Sequence, residues 1–501
     1  MRTHHLYLFL IGIFILSAAM HQSIFTKDLV GKHLWRQSQT QLNVLNFARN
    51  DFNILNPRHN NFNNGNSNIQ RMEFPIMQWS IAAIYRLFGE SILITRISMF
   101  LIGILASLGL YLIIQELFKT RLVSLITTFA FTFSPLFYYY TMNPLPDMFA
   151  LAFGLLSLGF FLRYLKNETL TSQLILSGLF FSLSVLAKLP FIIYGLFPLF
   201  IALLKWKNSP LQRKNSLAIC LIYAIALFPS ALWYGWVISS WGTSTVVGGL
   251  ITNPTSFINF LHILSYHVGV IWSKQMIGYP ALPFFIAGLY LGFNKKKKKN
   301  EIWWAMFSTL VGLGFYFIYE SSLISIDHDY YSLPFYLPFY IIIGFGLKKV
   351  IEFIDFKLQQ NKTLLSIGII LLAMAPINAY LTSDKLWLTK YSSFDITVLE
   401  KRGYLRAMIP DTAKCIMVND ESGYIFSYLI DKQGYTFAHD HLPVEWVEDM
   451  VSNYGTTYLW SLSRKVDDRA DIQPYFEKII FEEGQLKVFK LQMPKAKSEP
   501  H

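Results

Sequence analysis

The sequence predicts an all-α polytopic membrane protein carrying a small α/β domain at its C-terminal end. Three observations predict it. The composition is 53% hydrophobic and 17% aromatic but only 15% charged, with a mean hydropathy of +0.37, whereas water-soluble chains carry about 25% charged residues. Apolar runs close to bilayer length recur along the first three quarters of the chain, separated by short basic loops. From Ser383 onward the pattern changes to short apolar strands alternating with amphipathic helical stretches.

A bilayer-spanning helix needs about 20 mostly apolar residues. Runs meeting or approaching this lie at 5–22, 93–116, 122–140, 145–165, 172–187, 190–205, 216–238, 280–294, 301–319, 332–347 and 363–381, about eleven spans in all. Arg2 and the small Ser17-Ala18-Ala19 would also fit a cleaved signal segment; a retained first helix keeps the count consistent with the orientation.

Orientation follows from Lys and Arg placement. One set of short loops holds Lys119 and Arg121, Arg163 and Lys166, Lys205 to Lys214, the five-lysine run Lys295–Lys299, and Lys348 to Lys362, with Arg2 on the same side. The opposite short loops, near 141–147 and 320–331, hold no Lys or Arg. The basic side is cytoplasmic, so the large segments 23–92, 239–279 and 383–501 lie outside. The chain divides into a membrane domain over 1–382, with 23–92 as its first outer loop, and an extracytoplasmic domain over 383–501.

Within the first outer loop, Gln41–Asn50 and Ile76–Leu87 read as helices lying on the membrane surface, joined through an Asn-rich turn at Asn60–Asn68. Ser256–Lys274 reads as a third such helix. In the tail, Cys415–Asn419 and Thr457–Leu462 read as buried strands, Gly423–Asp431 and Val444–Asn453 as helices, and Lys478–Lys490 as a hairpin around Glu483-Gly484. No phosphate-binding glycine loop or acid–base constellation is legible there, so the tail reads as an accessory domain.

The net charge of +12 raises the possibility of nucleic acid. The basic residues sit in short clusters between apolar runs, as positively charged cytoplasmic loops do, and nucleic acid is excluded as a partner. Cys220 and Cys415 lie in unlike surroundings and imply neither a disulfide framework nor a metal site.

Four places put polar side chains where a membrane makes them conspicuous. His33-Leu34-Trp35-Arg36-Gln37-Ser38-Gln39-Thr40 is either a headgroup anchor or an anion site in which Arg36 grips a phosphate. Asp147, in Asn143-Pro144-Leu145-Pro146-Asp147, is either a helix cap or a carboxylate orienting a hydroxyl or cation. Lys188 snorkels to the interface or binds a lipid phosphate. Asp327-His328-Asp329-Tyr330-Tyr331 joins two acids and a histidine to tyrosines that would otherwise be interfacial anchors. All four fall on the outer side, which points to a site there. A divalent metal is conceivable at the His-Asp motif, but one histidine among two acids is a weak ligand set and no cofactor is expected.

These residues resemble those of the GT-C membrane glycosyltransferases (family 39 type), in particular the bacterial relatives of protein O-mannosyltransferases and lipid A aminoarabinose transferases. The segment Glu73-Phe74-Pro75-Ile76-Met77-Gln78-Trp79, followed by Leu87-Phe88-Gly89 and Thr95-Arg96, looks like the family's approach to its second span. Pro146-Asp147, Ala187-Lys188 and His328-Asp329-Tyr330-Tyr331 look like its second-loop acid, its lysine after the fifth span and its late-loop motif. The resemblance covers residues 1–380. It implies transfer of a sugar from a polyprenyl-phosphate donor to a protein, lipid or glycan acceptor, with inversion and base assistance, outside the bacterial cytoplasmic (inner) membrane. Arg36, Gln37, Gln39, Lys188, His328, Asp329, Tyr330 and Tyr331 would then bind substrate.

One position departs from the pattern. The family's first-loop acid falls near Ser38 or Gln39, and an amide takes no proton. The candidate catalytic acids and bases are therefore, in order, Asp147, His33, Asp28 and Glu73. Two other classes compete: a transporter or flippase for lipid-linked glycans, which calls for mid-span charges and internal repeats, and a non-catalytic glycan-binding protein. Convergence of the polar residues on one site discriminates against both. The sequence identifies neither the sugar nor the acceptor, and leaves the base, metal dependence and oligomeric state open.

Overall fold

The computed structural model describes residues 3–62, 67–169, 171–206, 209–241, 249–251, 253–293, 301–324, 327–357 and 362–494. The five-lysine run and the centre of the Asn-rich turn lie outside them. The chain forms two compact units. One comprises Met1–Thr26, Met72–Met77 and Ile92–Lys385; the other comprises Lys27–Arg71, Gln78–Ser91 and Leu386–His501.

The first unit is helical. Four helices are long and apolar enough to cross a bilayer by themselves: Ile92–Phe118, Pro146–Lys166, Pro210–Ser240 and Glu301–Tyr319. The other predicted spans coincide with helical segments that are shorter or interrupted, so eleven full-length spans are not what the described residues contain. Proline explains three of the interruptions. The 122–140 run breaks into Arg121–Thr132 and Pro135–Tyr140 because Ser134, preceding a proline, is extended. The 190–205 run opens as a 3₁₀ turn at Leu189–Gly195 containing Pro190 before continuing as Leu196–Lys205, and extended Lys188 separates it from Thr171–Ala187. Around Pro334, Asp329–Phe335 is likewise 3₁₀ before the helix Tyr336–Lys357. The stretch predicted as a third surface helix is Phe257–Tyr266 followed by a π-helical His267–Ile277.

Helices solvated by lipid gain little from burying apolar surface against each other, so close approach and hydrogen bonds hold them. Helices Leu282–Phe293 and Tyr336–Lys357 touch through backbone: a Cβ on Gly346 would lie 1.9 Å from the Phe284 carbonyl oxygen. Ser157, Ser177 and Tyr223 join three helices, with Ser177 Oγ 2.6 Å from the Tyr223 hydroxyl and donating to the Ser157 carbonyl at 2.8 Å.

The second unit is built on a five-stranded sheet of order β2-β1-β3-β5-β4, with β1 Lys414–Val418, β2 Gln433–Phe437, β3 Thr456–Ser461, β4 Phe476–Glu483 and β5 Leu486–Leu491. β1 pairs in parallel with β2 and β3; β5 runs antiparallel to β3 and β4. The expected strands, helices and hairpin are present, and β2 is an addition. Most of the first outer loop, which the sequence groups with the spans, folds with this sheet. The Gly434 N–H donates to the Asn60 carbonyl at 2.9 Å and the Phe62 N–H to the Gly434 carbonyl at 2.8 Å, so part of the Asn-rich turn covers the open edge of β2. The loop's helix Leu34–Arg49 starts well before the predicted Gln41. Ile76–Phe88 begins where the sequence places it.

Candidate functional site

In the first unit, helix ends gather the ionisable groups. Asp147 is the second residue of Pro146–Lys166, behind a proline that needs no hydrogen-bond partner at that position, and the free N–H groups of a first turn favour negative charge there. Its carboxylate lies 3.6 Å from the Lys188 ammonium, with the two side chains 3% and 12% exposed. Lys188 owes its position to the break between two helices, and its ammonium stands 5.4 Å from the centre of the Tyr331 ring. Tyr331 stacks on Tyr330 at 4.8 Å, and His328 meets both rings edge-on at 5.7 and 5.9 Å.

Two neighbours fix this arrangement. The Tyr140 hydroxyl donates to the buried Asp329 carboxylate. Arg96, fully buried, donates to the Met142 carbonyl at 2.6 Å and to Asn143 Oδ1 at 2.8 Å, while Asn143 Nδ2 donates to the Tyr139 carbonyl at 3.0 Å. The short loop that delivers Asp147 is thus held by hydrogen bonds at both of its entering residues.

One member of the cluster is absent from the sequence-based list. Glu320 directly follows Glu301–Tyr319. Its N–H donates to the Tyr316 carbonyl at 2.9 Å, and its own carbonyl accepts from Leu323 and Ile324. The side chain is half-buried and Oε2 has no hydrogen-bond partner among the described residues. Burial pushes its pKa up to about 7, against the opposing pull of Lys188. Tyr316 senses the charges of both Asp147 and Glu320, and its hydroxyl lies 3.4 Å from the Tyr331 carbonyl. The available signal was an acid closing an apolar run; counting only Lys and Arg made that loop look empty.

Glu73 belongs to the same unit, on a stretch pinned by Trp233: the indole N–H donates to the Met72 carbonyl at 2.9 Å and the ring packs against Phe74. The remaining predicted residues belong to the second unit. Asp28 accepts from Leu29 N–H at 2.7 Å and from the Tyr428 hydroxyl, with Arg402 at 3.2 Å and Arg406 at 3.6 Å. His33 opens helix Leu34–Arg49 with a left-handed backbone, φ 58°, and caps nothing with its side chain. Arg36 is buried and donates to Gln39 Oε1, and Gln37 donates to the Lys32 carbonyl at 2.9 Å. No group of three His, Cys, Asp or Glu side chains placed to hold a metal ion occurs among the described residues.

Comparison with known proteins agrees with this architecture. Residues 73–234 match the family model described as dolichyl-phosphate-mannose-protein mannosyltransferase. No curated protein matches the chain in sequence. Among solved structures, ArnT from Cupriavidus metallidurans bound to undecaprenyl phosphate superposes with a TM-score of 0.67 at 13% identity, covering 98% of both chains. The archaeal oligosaccharyltransferase AglB from Archaeoglobus fulgidus, in complex with an inhibitory peptide and a dolichol-phosphate, gives 0.61 at 13% identity over 92% of this chain and 69% of its own. The chain thus shares the fold of these two membrane proteins, and about a third of it resembles the mannosyltransferase family.

Proposed function

We propose that this protein is a glycosyltransferase that moves a sugar from a polyprenyl-phosphate donor to an acceptor outside the bacterial cytoplasmic membrane. The observation that carries the reading is the buried Asp147–Lys188 pair facing Tyr331, in a fold whose relatives were solved with undecaprenyl phosphate and dolichol-phosphate. A paired carboxylate and ammonium cost several kcal/mol to desolvate, which a purely structural contact has little reason to bear.

In this reading Lys188 neutralises the charge that develops on the departing lipid phosphate, with Tyr330 and Tyr331 donating hydrogen bonds to it. Asp147 holds Lys188 and orients the acceptor hydroxyl. His328 and Asp329 order the tyrosines. The reaction inverts the anomeric centre. The membrane part crosses the bilayer about eleven times by pairing its shorter segments, with the C-terminal domain outside.

The test is an assay of the purified protein with a polyprenyl-phosphate sugar, following release of polyprenyl phosphate. Turnover that disappears in Lys188→Ala and Asp147→Asn supports the assignment, and full turnover in both removes it. Mass spectrometry of surface glycans in a deletion strain identifies the sugar and acceptor as the residue that goes missing.

A further inference from the structure

Attack by an acceptor hydroxyl on an anomeric carbon requires somewhere for its proton to go. The residue expected in the first loop is an amide, Gln39, already accepting from Arg36. Asp28 is enclosed by Tyr428, Arg402 and Arg406. Asp329 accepts from Tyr140. Asp147 is already paired with Lys188 at a helix N-terminus.

Glu320 is placed differently. Its backbone is fixed by three hydrogen bonds, it follows the last turn of Glu301–Tyr319, and one carboxylate oxygen has no hydrogen-bond partner among the described residues. Its N–H donates to the Tyr316 carbonyl at 2.9 Å, and the Tyr316 hydroxyl donates at 3.4 Å to the carbonyl of Tyr331, the ring that faces Lys188, whose charge also acts on Glu320. We propose that Glu320 is the catalytic base, a carboxylate that takes the proton of the acceptor hydroxyl as that oxygen attacks the donor sugar. This rests on the sugar-transfer reading. The new bond joins acceptor oxygen to anomeric carbon; the bond from that carbon to the phosphate oxygen breaks, and its electron pair leaves with polyprenyl phosphate beside Lys188. The proton ends on Glu320 and passes to solvent through its half-exposed side.

Burial lifts the Glu320 carboxyl to about pH 7, and the nearby ammonium limits the rise. A base titrating near working pH combines a usable ionised fraction with basicity. Since only the ionised form accepts a proton, kcat/KM rises with pH up to about 7 and then levels.

The experiment compares wild type, Glu320→Gln and Glu320→Asp from pH 5.5 to 8.5 with a polyprenyl-phosphate sugar and a hydroxyl acceptor, measuring binding of polyprenyl phosphate alongside. Glu320→Gln is expected to lose about 10²- to 10⁴-fold in kcat, to lose the rising limb, and to bind polyprenyl phosphate as wild type does. An acceptor with a more acidic hydroxyl, such as a phenol, should recover part of its rate. Glu320→Asp should keep the limb at a reduced rate. A Gln variant with the wild-type rate and limb overturns the inference, as does one whose loss is entirely in polyprenyl phosphate binding. A wild-type protein that releases no polyprenyl phosphate from any such donor overturns the sugar-transfer reading itself, and this inference with it.

Discussion

Asp28 and Asp147 look alike in the sequence: each is a lone acid at the edge of an apolar stretch. In the second unit Asp28 is surrounded by a backbone N–H, a phenol and two guanidinium groups. Arg49, closer to the surface, forks to Glu90 and Asp431 at 2.8 Å each. In the first unit Asp147 lies 3.6 Å from the Lys188 ammonium, whose charge also acts on Glu320, an acid with one oxygen lacking a hydrogen-bond partner among the described residues. Carboxylates surrounded by several donors hold a fold together, and the proposed chemistry falls instead to the cluster around Lys188. The second unit spends its ionic groups on structure; the first keeps them in a cluster at its helix ends.

Breaking that cluster should abolish activity per folded molecule. Lys188→Ala is expected to cost about 10²- to 10³-fold in kcat per folded molecule, as loss of a group stabilising developing charge does, and to lower the unfolding midpoint as well because Asp147 is left buried without its partner. Unchanged kcat would place the two acids in the same structural class. Next in size is Gly434→Ala, whose new Cβ would sit 1.8 Å from the Cys415 carbonyl oxygen between β1 and β2. A loss of about 3 kcal/mol, read as a lowered unfolding midpoint of the C-terminal domain, is expected. Asp28→Asn should cost about 1–3 kcal/mol because it leaves buried donors short of an acceptor, while kcat per folded molecule stays at the wild-type value; a selective fall in kcat would restore Asp28 as a catalytic candidate. The smallest effect belongs to Arg49→Ala, whose own side chain and its partner Glu90 are over one-third exposed. A loss of under about 1 kcal/mol that vanishes in high salt is expected from denaturant titration.

Much of this was legible in advance. Run length and loop charge located the helical segments, and strand patterning found four of five strands. β2 escaped because Gly434 interrupts QGYTF at the point where the sheet needs no side chain. The prolines at 135, 190 and 334 stood in plain view, yet whether each one ends, tightens or merely bends a helix depends on neighbouring packing. Glu320 escaped because orientation is read from lysine and arginine, and acids enter that count with little weight.

Local rules sufficed for the membrane character of the chain, the sites of its helices and the candidate status of Asp147, Lys188 and the His328–Tyr331 motif, since transfer to lipid and dihedral preference act within a few residues. The surroundings of the acids were decided only in three dimensions. Asp28 meets Tyr428 from 400 positions away, and Glu320 comes under the charge of Lys188 from a separate helix end. A carboxylate's basicity is set by the charges and burial around it, and those are supplied by folding.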